Sequence, residues 1–398
     1  MTQSTRARWI DGGTDVERYA EQFWDTLFAK VPEITLFNSQ QITADISRLR
    51  ERIEADPNSS LANLFEPVTL ADGSVYQPVN VARIAGYSAE MLDRFLGKLG
   101  KPAGIATYKP CNSVGEEYLP TFFGTIGIPI DLVPEFPAEA ATVFLTKASA
   151  ADRDLVEKTK KFVQAGGQAI VTSGLVEALE ENGFQDIAEI AVTGRVLAIN
   201  FNTGFGFFGG FGGGGSEASE TQAEEDDLNI LLPKLRHFEN DTWNSILFNT
   251  ADFGYPMVVG ADRSTNYGKG TFYVIAIPDD FADLYRLPEA ALNQIRSLFN
   301  RNMWVSIEAP DHVSLLAYDN RTFIVQNFRG QPVDTRIIVR ESARILDLLT
   351  NQSISGETGS RGRGFGRAMM GGMSDRSGNQ FNFDVTVPGH SFRVFSAE

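Results

Sequence analysis

Thiol and imidazole groups are few in this sequence, one cysteine and three histidines, and their spacing decides what chemistry is open to them. One cysteine, Cys111, lies in the turn Lys109-Pro110-Cys111-Asn112, directly after the apolar run Ile105-Ala106-Thr107-Tyr108. A thiol or hydroxyl nucleophile needs a base that is itself oriented by an acid, and the chain offers only His237, His312 and His390. Ser173 sits in Thr172-Ser173-Gly174-Leu175, which lacks the Gly-x-Ser-x-Gly spacing of a nucleophile elbow. Cys111 and Ser173 are therefore weak nucleophile candidates. The plainer expectation is a small buried thiol for Cys111 and a helix cap for Ser173. Asn112, Ser113, Glu116 and Glu117 follow a strand and could line a sugar site in the crevice at its carboxyl end. The same residues have a local explanation, since Ser113-x-x-Glu116 makes a capping box. Trp243 could stack on a sugar face or pack in the core. Gly268-Lys269-Gly270 leads into a strand rather than a helix, so it is not a phosphate loop. His312 and His390 fall in or beside strands and read as structural.

The elements that would hold these residues alternate in a regular way. Strands are expected at 105–108, 130–133, 141–146 and 168–172, and the apolar run Ala141–Thr146 suits a strand buried on both faces. A helix is expected to enter at Ser113, and another spans Asp152–Gln164 with Leu155, Thr159, Phe162 and Val163 on one side. Strand, helix, strand in this rhythm predicts a parallel sheet with right-handed crossovers. Arg195–Ile199 adds a further strand, Tyr255–Val259 and Thr271–Ile277 return to the same sheet, and the helix Pro288–Asn300 covers it. From Trp304 the period becomes two, with strands at 313–318, 322–328, 335–339, 381–387 and 391–395, the pattern of an antiparallel sandwich.

Upstream, Thr14-x-x-Glu17 opens a helix whose Val16, Tyr19, Ala20, Phe23, Trp24, Leu27 and Phe28 recur at helical spacing. The chain then gives a buried strand, Glu33–Asn38, and a helical stretch near Ala44–Ala55. A mixed linker with a turn at Asp72-Gly73 follows, then a helix over Ser88–Leu99 with Met91, Leu92, Phe95 and Leu99 inward. A lone strand has no ladder partner, so this opening portion is expected to be the last piece of something larger.

Totals set further bounds. A chain of 398 residues exceeds one ordinary core. The net charge of −16 argues against a nucleic-acid partner. No cysteine–histidine cluster has zinc spacing, no cofactor motif is present, and no apolar run reaches the ~20 residues of a membrane span. The chain is expected to be soluble and without an export signal, its compartment open. Two stretches stand apart in composition. Residues 204–227 join a Gly/Phe run to an acidic tail, and 356–378 carry glycine with Arg361, Arg363, Arg367 and Arg376. Both are expected to be loops; Phe205, Phe207, Phe208 and Phe211 would pack the first or act as an aromatic flap.

A mosaic of short motifs covers nearly everything outside those two stretches. It comprises Trp9-Ile10-Asp11-Gly12, Tyr19-x-x-Gln22-x-x-Asp25-Thr26-x-x-Ala29, Glu33-Ile34-Thr35-Leu36-Phe37-Asn38 and Lys109-Pro110-x-x-Ser113-x-Gly115-Glu116-Glu117-Tyr118-Leu119. Gly127-Ile128-Pro129, Thr172-Ser173-Gly174-Leu175, Tyr318-Asp319-Asn320, Asn327 and Pro388-x-His390-Ser391-Phe392 complete it. Together these resemble the C-terminal half of β-galactosidase-like glycoside hydrolases. The resemblance implies an α/β plus all-β architecture: a (β/α)₈ barrel remnant over 1–100, a glutamine-amidotransferase-like, flavodoxin-like domain over 101–301, and a small β-sandwich over 302–398. It makes Asn38, at the end of the last barrel strand, a sugar-lining candidate.

A retaining glycosidase needs two carboxylic acids about 5 Å apart, and in barrel enzymes these sit at the carboxyl ends of strands. Only one such strand is recognisable here. The resemblance therefore implies no catalytic residue in this chain, and a non-catalytic portion or subunit that supports a separately encoded or missing barrel domain, binds carbohydrate and forms a homo-oligomer. Two alternatives are a stand-alone carbohydrate-binding scaffold and a Cys111 or Ser173 amidase.

Overall fold

The computed structural model describes residues 16–34, 68–69, 73, 75–76, 81–180, 182–202, 228–237, 242–250, 254–262, 270–358 and 379–398. It is a mixed α/β structure in which a sheet with a parallel run lies beside antiparallel sheets.

The parallel run comprises β1 (Ile105–Tyr108), β2 (Ile130–Val133), β3 (Thr142–Leu145), β4 (Gln168–Thr172) and β5 (Thr271–Ile275). Their spatial order is 2-1-3-4-5, and every neighbouring pair is parallel. Strands 254–262, 242–249 and 200–202 extend the sheet beyond β5 in antiparallel fashion. β3, β4 and β5 are buried at every position, as unbroken apolar runs covered on both faces should be.

Helices α3 (Leu119–Thr125), α4 (Leu155–Gln164), α5 (Ser173–Ala178) and α6 (Glu289–Phe299) accompany this sheet. The inward residues of α4 are Leu155, Thr159, Phe162 and Val163, as its spacing predicts. Strand 190–198 departs from expectation: it pairs with 230–237 in a separate two-stranded ribbon instead of joining the parallel run.

The helix expected at Ser113 does not form there. Residues 111–118 are a turn and α3 begins at Leu119, with Pro120 in its first turn and no side-chain cap on Tyr118. The reason is local competition. The Ser113 hydroxyl donates to the Pro110 carbonyl (2.6 Å), and Asn112, Gly115 and Glu116 all take positive φ, which ends helical winding.

Two antiparallel sheets form the C-terminal sandwich. One orders strands 305–308, 333–340, 380–387 and 357–358; the other orders 353–355, 344–347, 391–397, 322–327, 313–318 and 102–103. Inward residues at alternate positions, such as Val333, Thr335, Ile337 and Val339, give the period of two seen in the sequence.

Helices α1 (Val16–Phe28) and α2 (Val81–Asp93) pack on the outer face of the six-stranded sheet. Ala20, Trp24 and Phe28 meet Leu92, Phe95, Tyr318, Ile324, Phe392 and Val394 in one apolar seam. The Tyr318 hydroxyl donates to the Phe28 carbonyl at 2.9 Å, and the Trp24 indole donates to Ser88 at 3.0 Å. The expected strand Glu33–Asn38, the helix near 44–55 and both glycine-rich loops lie largely or wholly outside the described residues.

Candidate functional site

In an open sheet of order 2-1-3-4-5, the ligand crevice falls at the carboxyl ends of β1 and β3, where successive crossovers leave in opposite directions. Here that crevice is bridged by the chain's own bonds. Ser149, after β3, donates to the Tyr108 carbonyl at the end of β1 (2.7 Å), and the Tyr108 hydroxyl donates to Asp152 (2.8 Å). Burial and the Asp152 carboxylate together push the Tyr108 phenol well above its usual range.

Glu116 completes the bridge. Its Oε2 accepts from the Lys147 amide (2.7 Å) and from the Thr172 hydroxyl (2.7 Å), so one carboxylate ties the loop after β1 to the ends of β3 and β4. Thr172 in turn caps α5 by accepting from the Leu175 amide at 3.1 Å. Burial raises the Glu116 carboxyl above its ordinary value, against these hydrogen bonds and the Lys147 charge. Two glycines make the arrangement possible. A Cβ on Gly174 would lie 2.2 Å from Glu116 Oε1, and Gly115, at φ +114°, approaches Lys147 so closely that a Cβ would sit 2.8 Å from its side chain.

Several local expectations need correction. Glu116 is not half of a capping box with Ser113, because its carboxylate is spent across the crevice. Ser173 is not the cap of α5: Thr172 is, while the buried Ser173 hydroxyl accepts from the Ile277 amide at 3.0 Å. Cys111 is exposed rather than buried. Neither forms a nucleophile–histidine pair in the described hydrogen bonds, in which His312 meets Asp311 and His390 meets Glu21. Asn112 and Glu117 are exposed at the crevice, Ser113 is buried beneath it, Trp243 falls on the strand Thr242–Asn249, and Asn38 lies outside the described residues. The structure thus brings Asn112, Ser113, Glu116 and Glu117 into one loop and leaves Trp243 on a different strand.

A second site escaped sequence reasoning. A cavity of about 410 Å³ opens where α1, α3, β2 and the sandwich strands 102–103 and 313–318 meet. Its walls are mostly apolar, with Phe28, Tyr318 and Phe328 among them, and its carboxyl groups are Asp25 and Asp131.

Asp25 stands one helical turn beyond Glu21 on α1. Burial, reinforced by the Glu21 charge and opposed by the Gln326 amide, pushes its carboxyl up to about 7. Glu21 is itself buried and bonded to His390 Nδ1 at 2.7 Å. A carboxyl near 7 can hold or release a proton at neutral pH, which is the property a general acid needs. The signal available in the sequence was an acid pair at i, i+4 bordering the apolar arc of α1.

No metal-ligating group of three or more His, Cys, Asp or Glu side chains occurs among the described residues, and no described helix is long and apolar enough to cross a membrane.

Three family models match the chain in tandem. Residues 3–98 match a probable glycosyl hydrolase, catalytic domain; 100–201 match the second domain of the uncharacterized protein SSO3021; 304–397 match a probable glycosyl hydrolase, C-terminal domain. Glycosyl-hydrolase domain models match both ends of the chain. The first of these matches overturns the expectation of a non-catalytic portion, because the model it meets is that of a catalytic domain.

No curated protein matches the sequence. The chain is similar in structure to β-galactosidase from Bacillus circulans sp. alkalophilus, at 15% identity and a TM-score of 0.47, covering 83% of this chain and 46% of that one. It is similar to a catalytic mutant of Gan42B, a GH42 β-galactosidase from G. stearothermophilus, at 12% identity, a TM-score of 0.41 and coverage of 82% and 45%. It is also similar to α-L-fucosidase isoenzyme 2 from Paenibacillus thiaminolyticus, at 12% identity, a TM-score of 0.46 and coverage of 80% and 52%. The chain spans about half the length of these structures. At such scores the likeness carries no functional argument.

Proposed function

We propose that the protein is a glycoside hydrolase and that residues 3–98 belong to its catalytic domain. The observation that carries this is the catalytic-domain match itself, joined to a C-terminal-domain match at the other end of the same chain. A carbohydrate is the substrate, and the β-galactosidase-like motifs of the sequence favour a β-galactoside. We divide the chain into 1–100, 101–301 and 302–398; the model limits at 98, 100 and 304 fall near two of these boundaries, and the middle model stops at 201. Asn112 and Glu117, exposed at the sheet crevice, are the sugar-contact candidates of the middle portion, and assembly as a homo-oligomer belongs to the same reading.

The test is a panel of aryl glycosides presented to the purified polypeptide, with circular dichroism establishing that it is folded. Release of the aryl group from a β-galactoside supports the proposal. A folded protein that hydrolyses none of the panel refutes it. Light scattering on the same sample settles whether the assembly is a homo-oligomer.

A further inference from the structure

We propose that the cavity between α1, α3 and the sandwich binds a small organic ammonium ion with an apolar body. The proposal stands apart from glycoside hydrolysis, since it concerns recognition at a place where no reaction is assigned. The size of the cavity, about 410 Å³, falls within the range of sites for small molecules.

Its chemistry is one-sided. The lining carries two carboxyl groups, Asp25 and Asp131, and contains no lysine, arginine or histidine. Two of the cationic residues that adjoin the lining in sequence are committed elsewhere. Lys30 donates to the carbonyls of Leu96 and Leu99 at 2.9 Å each, and Arg329 pairs with Asp311. An anionic ligand would meet like charge in the lining, and a neutral one could gain hydrogen bonds from the acids but no charge pairing. A cation gains from both.

The rest of the wall suits the body of such a ligand. Phe328 is partly exposed in it, with Phe28 and Tyr318 fully buried behind the lining. Aromatic faces attract a cation through the ring quadrupole while accommodating its hydrocarbon portion.

A separate observation points the same way. Gln326, fully buried on strand 322–327, turns its amide donor to Asp25, while its Oε1 has no hydrogen-bond partner among the described residues. A buried carbonyl oxygen without a donor is costly, and an ammonium brought to Asp25 supplies donors beside it.

The groups facing Asp25 are Glu21 on its own helix, Tyr318 from strand 313–318, and Gln326; His390 is paired to Glu21. Burial and Glu21 hold the Asp25 carboxyl near 7, so its charge is mostly absent at pH 6 and mostly present at pH 8. Ammonium binding is expected to be roughly tenfold tighter at the higher pH, with proton release on binding near neutrality.

The experiment is calorimetric titration of the full chain with cyclohexylammonium, cyclohexanol and cyclohexanecarboxylate at fixed ionic strength, at pH 6 and pH 8. It is repeated on Asp25→Asn and Asp131→Asn, whose melting curves report that they are folded. The expected result is binding of the ammonium alone, tighter at pH 8, weakened at least tenfold in Asp25→Asn and less in Asp131→Asn. Cyclohexanol binding as tightly as the ammonium overturns the proposal. So does ammonium affinity unchanged in Asp25→Asn, or absence of heat from every probe at millimolar concentration. The pH dependence of the parent protein decides the matter should Asp25→Asn fail to fold.

Discussion

Asp25 makes the stability of this protein depend on pH, and the sign follows from where its proton is held. Burial and Glu21 push the carboxyl up to about 7 in the folded chain from its ordinary 3.8, so the folded state keeps its proton to higher pH. The stability this gives is fully present below the unfolded value and is lost as pH rises through the folded one. Asp25→Asn removes the titration. The variant is expected to exceed the parent by roughly 2–4 kcal/mol at pH 8 and to match it at pH 4, measured by urea unfolding at both values.

Glu116 behaves differently, because its carboxylate holds two donors at once. Glu116→Ala strands the Lys147 amide and the Thr172 hydroxyl at a cost of about 2–3 kcal/mol. Gly174→Ala, which drives a methyl into the same carboxylate, is expected to cost about 1–3 kcal/mol; denaturant midpoints of both variants check this. Neither role was legible in the sequence. Glu116 fitted a capping box by spacing alone, and only the positive φ values at Asn112, Gly115 and Glu116 redirect it. Asp25 was one acid on a helix whose apolar stripe dominated the pattern, and the burial that raises its carboxyl comes with packing on sandwich strands some three hundred residues downstream.

Where a segment's own periodicity is strong, the elements came through. α4 buries the four residues its spacing names, and the sandwich strands 313–318 and 322–327 lie where alternation and the Asp319-Asn320 turn place them. Strand 190–198 was misassigned because its pairing partner, 230–237, lies beyond the Gly/Phe insertion and nothing local specifies the sheet it joins.

α6 shows what pattern cannot reveal. Its Arg296 is almost wholly buried and has carbonyl acceptors, donating to Ile126 at 2.6 Å, to Pro310 at 2.7 Å and to Ala309. Burial lowers its guanidinium to about 10, against the charges of Glu289, Asp311 and Glu308. The side chain therefore pins α6 to both the parallel sheet region and the sandwich. Arg296→Met is expected to lose about 3 kcal/mol by leaving several carbonyls unpaired, and hydrogen exchange is expected to rise in α6 and at Ala309–Pro310 before it rises in β4.

Across the whole molecule, the parallel sheet, the sandwich and the opening helices share seams rather than linkers. α1 is anchored by aromatic contacts to the sandwich, with the Trp24 and Phe392 rings 4.9 Å apart and Phe28 and Phe392 5.0 Å apart, near perpendicular in both pairs. Trp24→Ala is expected to cost about 3–5 kcal/mol and to raise exchange in α1 and in strand 391–397 together. Exchange confined to α1 would contradict the shared seam.

That seam also sets a schedule for synthesis. Trp24 finds Ser88 on α2 within some 60 residues of synthesis, but the ring it rests against belongs to Phe392, so the sandwich-facing side of the apolar stripe stays uncovered while some 370 residues follow. At about 5–20 residues per second that wait lasts tens of seconds. During it, the stripe is an invitation to chaperones and to neighbouring unfinished chains alike.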